Sequence, residues 1–191
     1  FTYICVFSNK LKSKIVFSDE LKTDFNKWRI VCGSPQISSI RGLPNPPSLL
    51  LEENSTDRRD SFIIAKGISI KNGAISCDVY LEREAVINII FRCNINNFYM
   101  ARIDSRSAGS SGILLSKDKI GNWSYINQPN ISFQSDMWHH VIVSFKEEKI
   151  RLQINNRVFV TKNNEFNFDG EIGLFNEVKR AFVNNFSISQ K

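Results

Sequence analysis

Apolar and polar residues alternate with a period of two along much of the chain, and no long stretch holds apolar residues at helical spacing. Across residues 74–81, Ile75, Cys77, Val79 and Leu81 share one face while Ser76, Asp78 and Tyr80 share the other, as a half-buried strand requires. Residues 149–155 repeat the pattern, with Ile150, Leu152 and Ile154 inward and Lys149, Arg151 and Gln153 outward. Asn155-Asn156 then supplies residues that tolerate positive φ, the mark of a hairpin turn. Strands are predicted at Trp28–Cys32, Ser48–Glu52, Phe62–Ala65, Ala74–Leu81, Val86–Cys93, Phe98–Asp104, Ile113–Ser116, Trp123–Ile126, His139–Lys146, Lys149–Asn155, Arg157–Thr161, Glu171–Phe175 and Ala181–Ser189. So many short strands imply an all-β chain folded as two packed antiparallel sheets.

The stretch "CGSPQISSIRGLPNPPSLL" breaks this rhythm and holds four of the five prolines. Prolines so close together exclude a central strand and predict a surface loop, either a crossover between the sheets or a binding rim.

The run "DMWHHVIVSF" contains the only two histidines. Strand phase groups His139 with Val141, Val143 and Phe145, and His140 with Ile142 and Ser144. Adjacent strand residues point to opposite faces, so the two imidazoles cannot hold one ion together. They are expected to hydrogen-bond near the strand entrance, with Trp138 closing the end of the core and no serine or cysteine partner in evidence.

Length and composition suit one globular domain, with 191 residues of which 42% are hydrophobic and 23% charged. The expected division is residues 1–14 as an N-terminal extension or first strand and 15–191 as a single sandwich. No run approaches the roughly eighteen apolar residues of a membrane span. The net charge of +6 favours acidic partners. The cations are dispersed in short clusters such as Lys146 to Arg151, so neither nucleic-acid binding nor membrane insertion is expected.

Four sequons, at Asn54, Asn122, Asn130 and Asn185, point to a secreted or cell-surface protein. Cys5, Cys32, Cys77 and Cys93 contain no C-x-x-C pair; they allow two disulfides, one or none, and Cys77 and Cys93 also read as buried thiols on an apolar phase.

"WHHVIV" followed by a charged turn and "IRLQINNR" resembles the tryptophan-led hairpin of concanavalin-A-like jelly-roll domains, including laminin-G-like modules and 3-keto-disaccharide hydrolase domains. "IVFSDELKTDFNKWRIV", "NIIFRCNINNFYMARID" and "FDGEIGLFNEVKRAFVNNFSI" are similar to the opening, central and closing strands of that fold. The resemblance implies a two-sheet antiparallel jelly-roll sandwich that takes ligands on its concave sheet face or loop rim.

Strand phase places Asn88 and Arg92 on one face, with Met100 and Arg102 facing the same way on the next strand. The two arginines would offer fork donors to an acidic glycan or a protein partner, and Tyr80, Trp123 or Tyr125 would stack on a sugar ring. An assembly domain of a larger secreted complex is the alternative.

Glycosidases of this fold carry E-x-D-x-x-E on one strand, which is absent here; the nearest acidic pair, Glu82 and Glu84, sits in a predicted turn. Neither a G-x-S-x-G elbow nor a phosphate-cradling loop occurs, so no catalytic residues and no enzyme activity are expected. No cofactor is expected either. Calcium, which some laminin-G-like modules bind through oxygen ligands, has only the isolated Asp104, Asp118 and Asp169 to recommend it and is not predicted.

Overall fold

The computed structural model describes residues 13–20, 24–39, 48–52, 60–94, 97–106, 111–116, 123–128 and 133–191, with the backbone alone for 114–116 and 123. Every regular element among them is a strand. The first sheet runs β13 (Arg157–Lys162), β12 (Lys149–Ile154), β11 (Met137–Lys146), β6 (Gly73–Leu81), β15 (Arg180–Gln190), β4 (Ser48–Glu52) and β3 (Gln36–Ser38), with β1 (Lys14–Asp19) on β15. The second runs β10 (Trp123–Asn127), β9 (Gly112–Ser116), β8 (Asn97–Asp104), β7 (Val86–Asn94), β14 (Gly170–Val178), β5 (Ser61–Ile70) and β2 (Trp28–Cys32). All pairings are antiparallel.

The period-two pattern is what packs the sheets. Ile75, Cys77, Val79 and Leu81 of β6 meet Val141, Val143 and Phe145 of β11, and Ile150, Leu152 and Ile154 of β12 continue the layer. The second sheet answers with Ile87, Ile89 and Phe91, Tyr99, Ala101 and Ile103, and Leu174. Each fully buried aliphatic side chain stabilises the fold by about 1.5–3 kcal/mol. At one end Trp28 is buried edge-on to Phe17 and Phe186, and its Nε1 donates to Asp19 at 2.7 Å.

Two elements are absent from the strands read from alternation. β1, which lies where the resemblance put the opening strand, is held by pairing with β15, and the three-residue β3, with one apolar residue, by pairing with β4. β3 sits at a sheet edge, as the nearby prolines demand. The rest of that proline-rich rim, 40–47, lies outside the described residues.

Several side chains depart from simple alternation. A bulge between Phe91 and Asn94 gives Arg92 a φ of 48° and turns it into the sandwich instead of outward. Its guanidinium, fully buried, donates to the carbonyls of Lys71 (3.0 Å), Phe166 (3.1 Å) and Glu147 (2.7 Å) and lies over the Phe145 ring at 5.4 Å. Arg92 closes the core at the Phe145 end of β11; at the other end of that strand Trp138 does not enter the core. Trp138 lies half-buried on the outward face of the first sheet, edge-on to Tyr80 at 5.8 Å.

The same bulge moves Cys93 off the core phase, onto the outward face of the second sheet with Ile90 and Met100. Cys77 faces the core and Cys93 does not, so they are separate thiols. Burial, reinforced by the charge of Asp78, pushes Cys77 far above the ordinary thiol value; burial likewise pushes Cys93 up to about 12. Cys32 Sγ lies 3.0 Å from the Asp60 carbonyl, and Cys5 falls outside the described residues.

Candidate ligand-binding face

The outward face of the second sheet carries the site. On β7 and β8 the residues that do not enter the core line up across the ladder: Val86 with Asp104, Asn88 with Arg102, Ile90 with Met100. β14 lies on the other side of β7 and sets Phe175 beside Asn88. The β7 and β8 members of this face are nonetheless buried, with Asn88 and Asp104 fully so and Arg102 8% exposed.

One half of the face is polar. Arg102 grips Glu177 through Nη1, at 2.6 and 2.8 Å from the two carboxylate oxygens, and reaches Asp104 through Nε at 3.2 Å. Arg106 takes the other side of Asp104, from Nη2 at 2.6 Å and from its backbone N–H at 3.0 Å. Asn88 Nδ2 donates to Glu177 at 2.9 Å, which leaves Asn88 Oδ1 buried without a partner. Among the described residues no acceptor is given to Arg102 Nη2. Two guanidinium groups against two carboxylates make it electrically balanced.

The other half is apolar. Ile90, Met100 and Cys93 form its floor, and Phe62, Phe98 and Phe175 pack half-buried against them. Phe62 and Phe175 meet edge to face at 5.9 Å. Beyond β9, Tyr125 pairs with Leu114, which pairs with Met100; Tyr125 is therefore level with this floor and 46% exposed.

Asp104 responds to two opposed influences. Burial raises its pKa, but the hydrogen bonds from Arg106 and the charges of Arg102 and Arg106 outweigh it and hold the carboxyl below its ordinary value of 3.8. A depressed carboxyl stabilises the fold above its unfolded pKa and ceases to do so as pH falls through the folded one. Asp104→Asn is accordingly expected to lower the urea midpoint clearly at pH 7, and the gap from the parent should narrow below about pH 3.8. A gap that is constant from pH 7 to pH 3 would contradict the clamp.

Of the residues singled out from the sequence, Asn88, Met100 and Arg102 come together here, and Tyr125 shares the face. Trp123 pairs with Ser116, which pairs with Phe98, placing its backbone on the same face. Two do not belong. Arg92 is turned inside by the bulge, and Tyr80 lies on β6 of the first sheet, packed between Trp138 and Phe182. The cationic pair expected of Arg92 and Arg102 therefore does not exist. Glu177, Arg106 and the three phenylalanines were not singled out. Strand phase within Phe98–Asp104 points to Phe98, but Glu177 reaches Arg102 across 75 residues through a pairing no local pattern announces.

The remaining candidates are soon placed. Asp104 is taken up by two arginines, Asp169 is exposed in a loop, and Asp118 lies outside the described residues. Glu82 and Glu84 form the expected turn, where Glu82 pairs with Arg180 at 2.8 Å. Asn185 is exposed at a break in β15 and donates to Asp78 at 2.7 Å; Asn54, Asn122 and Asn130 fall outside the described residues.

His139 is buried, with Nε2 2.7 Å from the Gln134 carbonyl and Nδ1 3.1 Å from Asn155 Nδ2, so it carries its proton on Nε2. His140 points the opposite way, to Asp78 at 2.7 Å and Ser76 at 3.4 Å. The cross-strand register thus supplies the serine partner that the linear pattern did not show. Ser76 lies within a strand paired on both sides rather than in a turn, where backbone N–H groups would converge beside its hydroxyl.

No protein-family model matches the chain, and no curated protein is similar to it. Solved structures are. The carbohydrate binding module CBM66 from Bacillus subtilis superposes with a TM-score of 0.71 at 16% identity, over 87% of this chain and 98% of that one. A protein of unknown function with a galectin-like fold from Bacillus subtilis gives 0.75 at 12% identity, over 94% and 98%. A Bacillus licheniformis beta-glucanase gives 0.64 at 8%, over 94% and 98%. At such identities the likeness establishes the fold, which is the concanavalin-A-like jelly roll; carbohydrate-binding and hydrolytic proteins alike are built on it.

Proposed function

We propose that the chain is a non-catalytic recognition module that holds a neutral glycan against the outward face of the second sheet. The observation that carries this reading is the balanced Arg102–Glu177–Asp104–Arg106 network beside an aromatic floor. Sugar rings present hydroxyls that both donate and accept, together with apolar C–H faces. Glu177 and Arg106 offer an acceptor and donors at the surface, and Tyr125 offers a ring for stacking. Because Arg92 is inside and Arg102 is neutralised, this face does not favour an acidic sugar.

Recognition is preferred to hydrolysis on chemical grounds. A glycosidase needs one carboxyl that holds its proton near neutral pH and a second one free to act on the sugar. Here both carboxylates are clamped to Arg102, and Asp104 is held ionised. The fold's hydrolytic relatives keep the enzymatic alternative in view, and the experiment addresses both.

On a glycan array the chain is expected to bind neutral glycans with little dependence on salt. Tyr125→Ala should weaken binding about fivefold, the value of a stacking contact of about 1 kcal/mol. Release of sugar from a bound oligosaccharide would replace the proposal with the enzymatic reading. An array without any neutral hit would favour assembly within a larger complex, for which the exposed Val158 and Val160 on edge strand β13 are the supporting feature.

A further inference from the structure

Away from the balanced face just described, the first sheet carries a group of adjacent cations. The β11–β12 hairpin pairs Lys146 with Lys149, and Lys149 in turn pairs with Lys162 on β13. Phe145, Ile150 and the Thr161 position face inward, so all three lysines stand side by side on the outward face. Like charges directly opposite one another across a ladder are destabilising. Glu148 relieves only Lys162, at 2.9 Å.

A shallow cavity of about 210 Å³ opens between these strands, and its polar side chains are Ser144, Lys146, Lys149, Arg151 and Lys191. It is lined by four cations and one hydroxyl, without a carboxylate. Four other described arginines are paired with carboxylates: Arg29 with Glu171, Arg102 with Glu177, Arg106 with Asp104 and Arg180 with Glu82. Arg151 has only the neutral Gln153 Oε1, at 2.9 Å from Nη2. The chain thus gathers cations here that it does not neutralise.

We propose that this cavity binds a tetrahedral oxyanion, a sulfate or phosphate ester on a polyanionic ligand. Arg151 supplies a planar fork, and Ser144, directly across the ladder from it, supplies a hydroxyl donor. Lys146, Lys149 and Lys191 provide the surrounding positive field. The site is on a different sheet from the proposed neutral-glycan face and stands or falls separately from it.

The test measures binding of the full chain to heparin and, separately, to inorganic polyphosphate at physiological ionic strength; the tighter of the two identifies the ester. Lys149→Gln with Arg151→Gln should weaken binding at least tenfold, about one charge-assisted contact. Arg83→Gln with Lys179→Gln, which removes the same charge beyond the Leu81 end of β6, opposite the Gly73 end that lines the cavity, should change it less than about twofold, because exposed charges beyond a Debye length are screened. Equal losses in the two double variants would reduce the effect to diffuse net charge and overturn the site, as would failure of the parent chain to bind either probe.

Discussion

Replacing Arg92 with alanine is expected to destabilise the fold by about 3–5 kcal/mol, the largest effect of any single change considered, read as a fall in the urea midpoint. The guanidinium is a cation with no carboxylate partner in a fully buried position. Desolvation lowers its pKa, and the neighbouring Tyr99 only partly offsets this. What holds it are three carbonyls from three separate connections: Lys71 between β5 and β6, Glu147 between β11 and β12, and Phe166 between β13 and β14. Truncation would strand those carbonyls and open a void against Phe145 and Tyr99.

Arg92→Lys isolates the geometry from the charge. An ammonium has no planar fork to reach three divergent acceptors, so this variant should still lose about 2 kcal/mol. If both variants unfold within about 0.5 kcal/mol of the parent, Arg92 is not the tie among these turns.

Arg102→Met is expected to cost about 2–3 kcal/mol at pH 7 and to abolish glycan binding under conditions where the variant remains folded. Removing this side chain leaves Glu177 without its bidentate partner and sets it near Asp104 with only Arg106 in compensation. The cost comes from the charge left behind, so combining Arg102→Met with Glu177→Gln should recover a substantial part of it. A double-mutant cycle reads this as a coupling energy of about 1–2 kcal/mol. Additivity of the two single variants would show that they do not act as a pair. The coupling should vary little with salt, because the side chains of Arg102 and Glu177 are only 10% and 22% exposed.

Local alternation was a good guide wherever strands kept their register. β2 and β4 begin and end where the pattern placed them, and the opposite orientations of His139 and His140 follow from phase alone. The approximate polar face around Asn88, Met100 and Arg102 was legible for the same reason. Arg92 was misplaced because a bulge inserts one residue into the period, inverting every side chain up to the next correction, and the residues "IIFRCN" give no compositional sign of it. β15 shows the same effect: its inward set passes from Val183 to Phe186 across the break at Asn185, whose φ is 51°.

What this sequence determined by itself is the class of the fold and most of the division between interior and exterior. Those depend on a period of two, which each short segment carries within it. Only the tertiary structure decided that Arg92 belongs inside, that Tyr80 lies on the opposite sheet from Arg102, and that Glu177 completes the polar network. These depend on strand order and bulge position, which are set by how distant segments pack together, and on burial that turns a loose set of charges into one balanced cluster.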